Sequence, residues 1–221
     1  MDLYEEKNNQ YFSHVRRDLI KLIPKKPGLK LLEVGAGGGH TLVHIKQSGM
    51  AAEVVGMELF EIPNSNQTNP LIDRFHVASI EDEVGSKQPD NYYDVILCGD
   101  VLEHLVDPWT VVNRMAKWLK RDGVLITSIP NIRIKSALKA ICFKGDFRYT
   151  DAGTFDRTHL RFFCKKNMIE LLTTPDLAVE AVYPNFQLTD YDGRTRLRNK
   201  LTFGLFEEFM ALQFFLVARK K

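Results

Sequence analysis

Short apolar runs alternate along this chain with segments whose apolar residues recur at helical spacing, the pattern of strands and helices taken in turn. Runs ending at Val34, then Glu53–Glu58, Arg74–Val77, Tyr93–Cys98 and Val124–Ile129, predict five strands, with two more over Leu177–Tyr183 and Gln213–Arg219. Helices are expected over Asn9–Ile23, Thr41–Gly49, Pro108–Lys120, Ile134–Phe143 and Lys165–Leu172. The first carries Phe12, Val15, Leu19, Leu22 and Ile23 on one face and Arg16, Arg17 and Lys21 outside, and Pro24 stops it. It is expected to cover a sheet edge; Tyr11 or Arg16 closing over a ligand is the functional alternative. Strand, helix and strand in repetition make an α/β chain built on a parallel sheet.

The first strand ends in Glu33-Val34 and runs into Gly35-Ala36-Gly37-Gly38-Gly39-His40, with glycine at every second position. Bare backbone turns sharply and admits a ligand closely, and the helix that follows offers unpaired N–H groups, so this corner reads as a cradle for a nucleotide-type cofactor. The dinucleotide fingerprint would want glycine at position 40, where His40 stands. An acid two residues before the first glycine suits a ligand bearing an ammonium or hydroxyl groups better than a pyrophosphate. S-adenosylmethionine is such a ligand. Glu58 ends the second strand beside this corner and is placed to accept from both ribose hydroxyls of a nucleoside.

The corner resembles motif I of the class I S-adenosylmethionine-dependent methyltransferases, matched by Glu33, Gly35, Gly37 and Gly39. Residues Asp94 to Asn131 resemble the ubiquinone-biosynthesis type in particular: a strand, then Gly99-Asp100-Val101-Leu102-Glu103-His104, a helix, Gly123, a strand, and Ser128-Ile129-Pro130-Asn131. Thr154-Phe155-Asp156-Arg157-Thr158-His159-Leu160-Arg161-Phe162-Phe163 resembles a segment of the same branch, the methyltransferase type 11 and 23 group. The resemblance implies a Rossmann-like fold, seven strands mostly parallel with the last antiparallel, and helices on both faces. It implies cofactor contacts at Glu33, Gly35, Ala36, Gly37 and Gly39, then at Glu58 and Leu59, Ser79 and Ile80, and Asp100. Relatives commonly carry Asp where Ser79 stands. It also implies a magnesium-type ion on Asp100, Glu103 and His104.

Composition narrows the rest. A chain of 221 residues with 44% hydrophobic and 26% charged positions suits one folded domain spanning 1–221, with the N-terminal helix 9–23 and a substrate-side insertion at about 132–163. The net charge of +2 gives no footing for a nucleic-acid partner, and Arg194, Arg196, Arg198 and Lys200 read as a solvated loop. Cys98, Cys142 and Cys164 form no paired motif, no apolar run reaches membrane-spanning length and the N-terminus lacks a signal core, so a cytoplasmic location is expected. Nothing in the pattern speaks to oligomeric state.

A sulfonium methyl is already activated, so the protein mainly aligns it with the acceptor; a hydroxyl acceptor gains from a base near neutral pKa. His104 and His159 are the candidates, with Asp100 beside the first and with Asp156 and Arg161 beside the second to orient the ring and hold an anionic group. The expected reaction is O-methylation of a small molecule, a sugar or glycan precursor first and a quinone or phenol second. The rivals are a non-catalytic S-adenosylmethionine-binding protein and an NAD-dependent oxidoreductase.

Overall fold

In the computed structural model, which describes residues 14–82, 85, 87–186, 197 and 199–221, the predicted strands join in one sheet. They are β1 (Leu29–Val34), β2 (Ala51–Glu58), β3 (Arg74–Val77), β4 (Tyr93–Gly99), β5 (Leu119–Pro130), β6 (Leu177–Asn185) and β7 (Gln213–Lys220). Their order across the sheet is β3-β2-β1-β4-β5-β7-β6. The first five are parallel, and β7 enters antiparallel between β5 and β6, as the resemblance implied.

The alternation within each strand divides the core in two. Leu32, Val34, Ile96 and Cys98 face α3 (Pro108–Trp118), whose Val111, Val112 and Met115 are fully enclosed. Leu31, Val95, Leu97 and Ile126 face α2 (His40–Gln47) and α1 (Arg17–Ile20), which contribute Leu42, Ile45 and Leu19. Strands buried on both sides read as nearly continuous apolar runs. An acid in that register has no water to turn to, and Glu33 is such an acid.

Helix ends follow local chemistry. Asp107 caps α3 by accepting from the Thr110 amide at 3.1 Å, and Pro108 occupies the first helical position. The helix stops two residues short of the predicted Lys120 because Leu119 is drawn into β5 opposite Tyr93. At the N-terminus the described helix is only Arg17–Ile20; Phe12 and Tyr11 lie outside the described residues.

The insertion after β5 begins with α4 (Lys135–Leu138), which continues as a π-helical turn over Lys139–Phe143 and so fills the predicted span. The chain returns through 154–163, and an isolated bridge joins Asn131 to Phe163 before α5 (Lys165–Leu172). Among the described residues no helix is long and apolar enough to cross a membrane.

Candidate active site

At the carboxyl edge of β1, β2 and β4 lies a cavity of about 520 Å³. Its floor is the glycine corner. Gly35 has φ +72, and a Cβ there would stand 2.3 Å from Val101 Cγ2, so both the turn and the closeness of the β4 loop require glycine. Gly37 and Gly39 also have positive φ, which explains the spacing by two. Gly39 serves as the cap of α2 and does not line the cavity.

Two acids stand over this floor. Glu58 accepts from the Gly37 amide at 2.8 Å and the Leu59 amide at 2.7 Å, one bond to each oxygen. Burial nevertheless raises its pKa, with those two amides pulling the other way. Glu33 is 4% exposed, and its Oε2 has no hydrogen-bond partner. Burial pushes its pKa up to about 8, against the pull of the Arg16 charge and a bond from Thr41. A buried, orphaned carboxyl oxygen at the cavity wall is what a cationic ligand group would complete.

Arg16 departs most from expectation. Rather than lying outside, it reaches over the edge of β4 and β5, with Nη1 2.8 Å from Asp100 Oδ2 and Nη2 3.0 Å from Ser128 Oγ. Its Nε and Nη2 also meet the two oxygens of Asp18 at 3.1 Å. Burial opposes the guanidinium charge, but Asp100 and Asp18 more than offset it and its pKa is raised. Gly99 makes room, since a Cβ there would come within 2.7 Å of Arg16 Nη1. Sequence periodicity could not find this, because Asp100 and Ser128 lie more than eighty positions away.

The cavity wall also includes Ala36, Leu59, Ser79, Ile80, Asp100 and His104. Ser79 Oγ accepts from the Glu81 amide at 3.1 Å, so it shapes the loop after β3 as well as facing the cavity. Among the described residues that line the cavity, Arg16 is the sole Lys or Arg, set against the carboxyls of Asp18, Glu33, Glu58, Glu81 and Asp100.

The segment that carries Asp100 and His104 is not an α-helix. Asp100 takes φ 54, and only Leu102–His104 forms a 3-10 turn. Asp100 is turned to Arg16, and the groups that gather are Glu103, His104 and His159, with ligand atoms within 4.8 Å of one another. Glu103 is 1% exposed, neither carboxyl oxygen has a hydrogen-bond partner, and burial holds its pKa well above the usual range, aided by the Asp100 charge. Magnesium asks for ionised, oxygen-rich ligands. A carboxylate committed to Arg16, one carboxyl sealed from solvent and an imidazole do not supply that set.

The polar aromatic run is buried where it meets this turn. Leu160 and Arg161 amides both donate to the Glu103 carbonyl, at 2.8 and 2.9 Å. His104 Nδ1 is 3.0 Å from Thr158 O, and His159 Nδ1 is 3.2 Å from Thr154 O. A carbonyl only accepts, so each Nδ1 carries the proton and each Nε2 is the basic nitrogen. The two rings meet edge to face, 4.8 Å apart. Only His104 lines the cavity; His159 stands behind it, 7% exposed. Asp156 accepts from the Thr158 amide and hydroxyl, which fixes the loop carrying both carbonyl contacts. The Arg161 guanidinium donates to the Val106 and Leu160 carbonyls rather than presenting itself to the cavity.

Parallel strands, a glycine corner and two carboxyls at adjacent strand ends define a Rossmann-like cofactor-binding protein of class I methyltransferase type. Residues 4–182 match the profile of the methyltransferase-domain family, and the chain belongs to that family of S-adenosylmethionine-dependent methyltransferases. It is 30% identical over 152 residues to a ubiquinone biosynthesis O-methyltransferase of Aliivibrio fischeri (strain MJ11), covering 66% of this chain and 62% of that protein. It is 31% identical over 176 residues to the ubiquinone biosynthesis O-methyltransferase of Vibrio atlanticus (strain LGP32), covering 74% and 70%. The chain thus spans about three fifths of the Aliivibrio relative's length. In fold it resembles an S-adenosylmethionine dependent methyltransferase from Mesorhizobium loti, with a TM-score of 0.63, 16% identity and coverage of 92% of this chain and 96% of that one.

Proposed function

We propose that the chain transfers a methyl group from S-adenosylmethionine to an aryl hydroxyl of the phenol or quinol kind. The sugar hydroxyl first expected from the sequence has no support in the relatives, whose printed names speak of ubiquinone biosynthesis. The observation that carries the reading is His104, a histidine with its tautomer set by a backbone carbonyl, on the wall of the cavity floored by the glycine corner. When bound, the cofactor supplies a sulfonium methyl that needs no further activation.

The chain's own residues divide the remaining work. Glu58, held by the Gly37 and Leu59 amides, is positioned for ribose hydroxyls, Glu33 for an ammonium, and Arg16 for a carboxylate. His104 Nε2 takes the acceptor's proton as the oxygen–carbon bond forms and the carbon–sulfur bond breaks. His159 does not reach the cavity and acts as a positioning residue, its edge against the His104 ring. Apolar side chains of Val101, Leu105 and Leu212 share the wall with His104, which suits an aromatic acceptor better than a many-hydroxyl sugar.

The test is methyl transfer from labelled S-adenosylmethionine to a catechol panel and a sugar-nucleotide panel, with His104→Ala alongside. Transfer to catechols, reduced about 100-fold in the variant with cofactor affinity unchanged, is expected. Cofactor binding with transfer to neither panel would favour the non-catalytic binding protein, and unchanged transfer by the variant would remove His104 from the role of base.

A further inference from the structure

The cavity runs across most of the sheet, and its two ends differ in chemistry. Glu58 ends β2 and Ser79 follows β3, while Asn185 ends β6 and Gln213 begins β7, and all four line the wall. In the order β3-β2-β1-β4-β5-β7-β6 the ends of β2 and β7 stand four strand places apart, roughly 19 Å at the usual strand spacing. Glu33, Glu58 and Glu81 lie towards the first end, and Asp18 and Asp100 meet Arg16 between. The far end, with Asn185, Leu212 and Gln213, carries no charge among the described lining residues.

Gln213 owes its place to the strand that runs against the others. Because β7 is antiparallel, it begins at the edge where the parallel strands end, with Gln213 opposite Pro130 of β5 and Asn185 of β6. The backbone before it is fixed from both sides. The Leu212 amide donates to Asn185 O at 2.9 Å, the Asn131 amide to Leu212 O at 2.9 Å, and Asn131 Nδ2 to the Ala211 carbonyl at 2.9 Å. Phe214 is fully enclosed and locks the register. Alternation then puts Gln213 on the face of Phe215 and Val217, which pack with Leu19 of α1, so it shares that side of the sheet with Arg16. Its side-chain amide is half-buried and makes no hydrogen bond among the described residues.

We infer that Gln213 determines acceptor specificity, its amide bonding a second, neutral oxygen on the ring whose hydroxyl faces His104. A carboxamide both donates and accepts, so it matches a hydroxyl or a carbonyl oxygen. A carboxylate on the acceptor would find no cation there: Arg16 is the sole Lys or Arg among the described lining residues and is held by Asp18 and Asp100. Leu105 and Leu212 line the same cavity. In a partly apolar wall one polar group on a rigid strand sets the orientation of a ring, and an acceptor without the matching oxygen leaves that group unpaired. The assignment rests on the proposed transfer to an aryl hydroxyl.

The experiment compares kcat/KM for phenol with those for catechol, resorcinol and hydroquinone, under argon, in the wild-type chain and in Gln213→Leu, with Gln213→Met as a second variant of closer length. At least one dihydroxybenzene should exceed phenol by about tenfold or more in the wild type, and either variant should remove that preference while transfer to phenol holds. A merely structural role would lower all four acceptors together. Gln213 lies at the end of the cavity away from Glu58, so calorimetry with S-adenosylmethionine should show unchanged cofactor affinity and certifies the fold of each variant. A wild type without the preference, a preference unaltered in both variants, or an equal fall for all four acceptors overturns the inference. So does better use of 3,4-dihydroxybenzoate than of catechol, since a charge would then hold the acceptor. Transfer to no aryl hydroxyl at all overturns the proposed reaction and this assignment with it, whereas the other failures leave that reaction standing.

Discussion

The glycine corner and the return run of the insertion are both built from residues that look unsuited to a core, and they differ in where their partners lie. At 33–41 the pattern itself is local: three positive-φ glycines, an acid two positions before them and a helix that begins at once. At 154–163 the unusual residues answer to 103–106, half a hundred positions earlier, through the carbonyls of Glu103, Thr158 and Val106. A local constraint repeats in sequence as a motif. A distant one leaves only residues that seem too polar to bury.

The sharpest way to break the comparison is Gly35→Ala. With φ at +72 and Val101 Cγ2 2.3 Å from the added carbon, cofactor affinity should fall by about 100-fold or more and the melting temperature should drop, both read in one thermal titration. A corner that tolerates alanine would mean the cradle is looser than its backbone says.

The distant side is probed by His159→Ala. If His159 positions His104, kcat should fall by about tenfold, the pH dependence of kcat should shift, and KM for the cofactor should hold. A fall equal to that of His104→Ala, with no change in pH profile on restoring the ring volume as Phe, would make His159 a base in its own right.

Arg16→Ala probes the cavity itself, since it removes the sole Lys or Arg among the described residues that line it. The dissociation constant for S-adenosylmethionine should rise by about tenfold, with Arg16→Lys recovering part of the loss. Asp100 and Asp18 would then face each other without the guanidinium between them, and hydrogen exchange over 14–23 should quicken.

The last effect is a slope with pH. Glu33 has a folded pKa of about 8 against an ordinary 4.5, so between those values the folded protein holds a proton that the unfolded chain has released. Its contribution to stability is full below pH 4.5 and is lost as pH rises to about 8, a change on the order of a few kcal/mol in the unliganded protein. Glu33→Gln should flatten that part of the melting temperature curve. Cofactor affinity should move the opposite way, tightening as pH approaches 8 and the carboxylate forms, and the variant should lose this dependence.

The chain's own pattern determined the strands and their alternation, the corner and the acids at the ends of β1 and β2, because each depends on spacing within a few residues and on which side chains tolerate burial or positive φ. Even the antiparallel seventh strand followed from the resemblance that those motifs carry. Only the tertiary structure decided that Arg16 turns inward to Asp100, that Asp100 leaves the acid and histidine group for that arginine, and that His104 lines the cavity while His159 stands behind it. Those outcomes are competitions between charges brought together from opposite ends of the chain. Burial and partner geometry settle them, and neither exists until the sheet has closed.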